Sequence, residues 1–226
     1  MRRAWGAAAA CKDLGGCGLG LANVPRAHAL VEEGLRRYLA VGEEFGAASA
    51  QAGLGNIAYR RGEYETARLL FEESLQMSRK IEYKRVEGYA QVMSGWTSLR
   101  VGNYEQARDL LRDEIMGAHE LGRVFSFYWG LVGLGLLGSL QGTERGAKLA
   151  ALLLGAADAL RANMPVQLSP AYQAELDSVL SYARAKLSEE TWNAAWTQGS
   201  AMSPAEAAMF ALGHGAGVQR ARQAKR

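Results

Sequence analysis

Between residues 65 and 75 the chain reads ETARLLFEESL, and Ala67, Leu70, Phe71, Ser74 and Leu75 fall at i, i+3, i+4, i+7 and i+8. Glu65, Arg68, Glu72 and Glu73 lie off that stripe, so the segment predicts a helix with one face buried. Forty residues later the pattern returns. RRGEYETARLLFEESL (60–75) becomes RVGNYEQARDLLRDEI (100–115), with Arg60/Arg100, Gly62/Gly102, Tyr64/Tyr104, Glu65/Glu105, Ala67/Ala107, Arg68/Arg108 and Leu70/Leu110 identical. Extending the step puts Gly15, Gly55, Gly95 and Gly135 in one column and Ala27, Ala67, Ala107 and Ala147 in another. Gly62, Gly102 and Gly142 form a third, and Leu35, Leu75 and Ile115 a fourth. A fixed period of this length predicts stacked like units.

Each unit reads as two helices. The first ends near Gly62, Gly102 or Gly142, where a residue without Cβ takes the left-handed conformation that closes a helix. The second starts at once, near Tyr64 or Tyr104, and runs to about Ile81 or Leu121. A mid-helix glycine such as Gly55 costs about 1 kcal/mol against alanine, which is tolerated where a second helix approaches closely. Ala67 and its equivalents are the expected small partners across that seam, and Tyr64 and Tyr104 are expected to wedge the turn against the neighbouring unit. The end units depart from the pattern: Val24 replaces the tyrosine and Pro25 opens the second helix of the first, and Glu144 replaces it in the fourth. Further on, Ser188 is an expected N-cap ahead of Trp192 and Trp196, and Ser203-Pro204-Ala205-Glu206 is a capping box with proline at N1. The reading is all-α: an α-solenoid of about four helix pairs over 1–163, a helical C-terminal cap over 164–214 that seals the stack, and a basic flexible tail, 215–226.

Composition agrees. Val, Ile and Thr together number only 19 of 226 residues, which disfavours strands. The formal charge is +3, but the tail after Gly215 holds four cations and no acid, and residues 1–25 carry a net +2. The rest is therefore net acidic, a poor surface for nucleic acid. Cys11 and Cys17 make no disulfide framework, and Lys12 interrupts the short apolar start, so a cytoplasmic chain without a signal peptide is expected. VFSFYWGLVGLGLLGSL (124–140) is uncharged but shorter than a membrane span, and its register predicts a buried helix.

Candidate chemistry is sparse. GLGLLG (133–138) satisfies G-x-G-x-x-G, with Asp158 at a suitable distance, but that fingerprint needs a strand before the glycines. Gly135 already belongs to a repeat column, and Asp158 sits in the helical GAADALRA. There is no G-x-x-x-x-G-K-[ST] phosphate loop and no G-x-S-x-G elbow. His28, His119 and His214 are far apart, and none has metal-ligand spacing to a second His or Cys. Glu32–Glu33 and Glu72–Glu73 are helix neighbours that point apart. No catalytic constellation, cofactor or metal site is expected, and the chain reads as a non-enzyme.

Leu54-Gly55, Gly62, Tyr64, Ala67 and Phe71 resemble the tetratricopeptide repeat, whose usual period is 34 residues. The longer step is similar to the variant in large bacterial transcriptional regulators, LuxR-type or winged-helix, that carry a signal-transduction ATPase. The segments 152–162 and 182–212 resemble the C-terminal end of such regulators. The resemblance implies that the first helix of each pair lines a groove for a protein or peptide, a small inducer or the regulator's own domains. The groove positions it implies are Asn56, Tyr59 and Arg60 in one unit, Tyr89, Trp96 and Arg100 in the next, and Trp129 in the third. The carboxylate clamp of chaperone adaptors is not implied, since only Asn56 matches its positions. The expected function is a protein-interaction scaffold, the sensor arm of a bacterial transcriptional regulator without its ATPase and DNA-binding parts; the alternative is a free-standing adaptor.

Overall fold

A computed structural model describes residues 24–162, 164, 168 and 170–213. Gly15, Cys11, Cys17, His214 and the basic tail lie outside them. Ten helices occur among the described residues, and no strand. They are α1 (Val24–Ala40), α2 (Glu44–Arg60), α3 (Tyr64–Lys80), α4 (Lys84–Arg100), α5 (Tyr104–Glu120), α6 (Val124–Leu140), α7 (Glu144–Arg161), α8 (Pro170–Arg184), α9 (Glu189–Ser200) and α10 (Pro204–Ala211).

The repeat is finer than the sequence pattern suggests. The helices from α1 to α6 are each 17 residues long, and those from α1 to α7 begin at residues 24, 44, 64, 84, 104, 124 and 144. The forty-residue period is thus two equal steps, each a helix and a three-residue turn. Every turn contains a left-handed residue: Gly42 (φ 68°), Gly62 (78°), Glu82 (54°), Gly102 (81°), Gly122 (63°) and Gly142 (68°). At the turns of Gly42, Gly62, Glu82, Gly102 and Gly122 the backbone then closes by the same six-residue bond, as in Glu63 N–H to Ala58 O (3.0 Å), Tyr83 N–H to Ser78 O (2.8 Å) and Arg123 N–H to Ala118 O (2.8 Å). That bond satisfies a carbonyl the helix end would otherwise leave open.

The chain divides into two compact units. Of the described residues, the first holds 24–103 together with 168 and 170–173. Within it, α1 packs on α2, α2 on α3 and α3 on α4. The successive first helices α2 and α4 also meet. Ala27, Val31, Ala50, Leu54 and Ile57 form one buried cluster, closed by Leu35, Tyr38 and Leu70. Ala48, Ala52 and Val86 form the next, under Met77, Ile81, Tyr83 and Tyr89. Ser74 Oγ donates to Ala48 O across the α2–α3 seam at 2.9 Å. The seam differs from expectation in one respect. The atoms nearest to Gly55 belong to the Phe71 ring, 2.9 Å from where a Cβ would stand, and not to Ala67. Ala67 is fully buried nonetheless. The glycine makes room for a large aromatic rather than for a second small residue.

Of the described residues, the second unit holds 104–162, 164 and 174–213. Here α5 packs on α6, α6 on α7, and α9 on α7, while α10 touches α5 and α7. Helix α6, the uncharged segment, is buried over most of its length, and no described helix is long and apolar enough to cross a membrane. At the α7–α9 crossing a Cβ on Gly155 would strike the Trp196 carbonyl and one on Gly199 the Leu152 carbonyl, so the two backbones touch. The cap helices start as expected. Ser188 Oγ accepts from Thr191 N–H, and Ser203 and Glu206 close a capping box with Pro204 at N1. Trp192 is buried and stacks on the half-buried Trp196, ring centroids 5.6 Å apart. Tyr104 is exposed, whereas Tyr64 packs edge-on against Tyr59 at 5.4 Å.

Candidate binding surface

Six of the seven implied groove residues lie on α2 and α4 of the first unit, and they divide by burial. Asn56 and Trp96 are each 2 % exposed, and both are side chains of the interior as the chain stands. Tyr59, Arg60 and Tyr89 are half-buried, and Arg100 is exposed. Trp129, on α6 of the second unit, is 3 % exposed and packs edge-on to Tyr128 at 5.3 Å.

The accessible four form two groups. In the first, Arg100 Nε donates to Tyr59 Oη at 3.1 Å, and Tyr64 fixes the Tyr59 ring. Both residues lie in the last turn of their helices, 41 positions apart, and the contact of α2 with α4 brings them together. In the second, the Arg60 guanidinium lies over the ring of Tyr172, 5.8 Å from its centroid, and the hydroxyls of Tyr89 and Tyr172 share a 3.2 Å hydrogen bond. Phe71 meets the Tyr89 ring edge-on at 6.3 Å. The phenylalanine that fills the space above Gly55 therefore also braces a surface tyrosine. Tyr172 is a residue the sequence did not single out. Its one signal was an aromatic just inside a helix start, Pro170-Ala171-Tyr172.

Such a surface joins guanidinium groups to phenol rings, suited to aromatic and acidic side chains of a protein segment. Other charged residues of the first unit pair among themselves: Arg68 bonds Glu65 (3.0 Å) and Glu72 (2.7 Å) within α3, and Arg79 of α3 approaches Glu87 of α4 (3.7 Å). Elsewhere, His28 stands 3.9 Å from Glu32, and His119 lies against Phe127. Among the described residues no group of three or more His, Cys, Asp or Glu side chains could hold a metal ion. Gly133, Gly135 and Gly138 lie within helix α6 and Asp158 within α7, so the strand the dinucleotide fingerprint requires is absent there.

A family model described as tetratricopeptide repeat matches residues 47–82, which spans most of α2, all of α3 and the turn between them. No curated protein and no solved structure matches the chain. The chain thus contains a tetratricopeptide repeat, and within each unit consecutive helix pairs pack as in a solenoid of that class. Such repeats generally mediate protein–protein interaction.

Proposed function

We propose that this chain is a protein-interaction scaffold whose partner docks on the α2–α4 side of the first unit, and that it serves as the sensing arm of a cytoplasmic bacterial transcriptional regulator. The observation that carries the first part is the Tyr59–Arg100 pair: a half-buried tyrosine and an exposed arginine, 41 residues apart, bonded at 3.1 Å across α2 and α4, of which α2 lies mostly within the matched repeat. An arginine held by a tyrosine is pre-oriented, so it loses little freedom when a partner's carboxylate or aromatic ring meets it. The second part rests on the resemblance of the long repeat and the terminal helices to such regulators.

The test is capture of a partner from cell extract by the purified chain and by its Tyr59→Ala/Arg100→Ala variant, with the retained proteins identified. Loss of specific proteins from the variant supports the scaffold. If those proteins carry ATPase or DNA-binding domains, the regulatory arm is supported; if they belong to unrelated assemblies, a free-standing adaptor replaces it. Equal retention by both chains removes the surface.

A further inference from the structure

We draw no further inference here: the strongest candidate, the exposed apolar side chains Leu39, Val41 and Phe45 around the α1–α2 turn of the first unit, with Tyr83 edge-on to Phe45, carries nothing, because nothing in the structure shows what covers them.

Discussion

Tyr128 lies in the second turn of α6 with its hydroxyl buried and without a hydrogen-bond partner. Burial raises its pKa above the usual 10.0, with Asp158 and Asp177 adding to the effect and Arg161 opposing it. The folded chain keeps the phenol neutral while the unfolded chain ionises near pH 10, so above that pH the unfolded state binds fewer protons and stability falls. Tyr128→Phe is expected to match or exceed wild-type stability at pH 7, by up to about 1 kcal/mol, since it removes an unsatisfied hydroxyl. It should also lose less stability than wild type between about pH 9 and about pH 11. Urea unfolding at the two pH values reads both effects. A second single-residue tension is Glu82, which holds φ 54° where the equivalent turns have glycine. Glu82→Gly is expected to raise stability by about 1 kcal/mol, because the side chain is what the left-handed conformation disfavours.

At the scale of the element, what closes each helix was partly legible. The column Gly62, Gly102, Gly142 foretold three left-handed turns, and all three are present. The intervening turns were hidden because Glu82 interrupts the column Gly42, Gly122, so the eye catches forty residues and misses twenty. Helix starts at Ser188 and Ser203 were readable because capping is local chemistry. Contacts across helices were less so: a sequence period says that Gly55 faces a neighbour but not which one, and the large Phe71 takes the place assigned to Ala67. The same limit hid the ion pair of Glu114, on α5, with Arg123, ahead of α6, whose carboxylate is 2 % exposed and is bonded by both Nε and Nη2 at 2.9–3.2 Å. Nothing in the spacing of nine residues announces a buried pair. Arg123→Ala is expected to destabilise the chain by about 3 kcal/mol, since it removes the cation facing a buried carboxylate. Gly199→Ala is expected to exceed the roughly 1 kcal/mol of Gly62→Ala, because its Cβ strikes backbone at the α7–α9 crossing, whereas that of Gly62 meets open space. Thermal or urea melts of the two variants check the order.

For the molecule as a whole, the architecture was legible because a solenoid repeats its own instructions, whereas the binding surface is written once. The family resemblance pointed to the helix layer and to Tyr59, Arg60, Tyr89 and Arg100, which the structure leaves at least partly open. It placed Asn56, Trp96 and Trp129 on the same list, and these are interior side chains; Trp96→Ala therefore tests packing rather than recognition. Tyr172 was not legible, because its contact with Arg60 joins residues more than a hundred positions apart, outside the repeat. The central claim is that the Tyr59–Arg100 pair is where a partner docks. Its most direct measurement is the affinity of a captured partner for wild type, for Tyr59→Ala/Arg100→Ala, and for Arg36→Ala, which removes one exposed cation from α1. The account predicts a loss of tenfold or more in the first variant and less than twofold in the second, with helical content unchanged in both. Equal affinities across all three chains, or equal losses in the two variants, would contradict it.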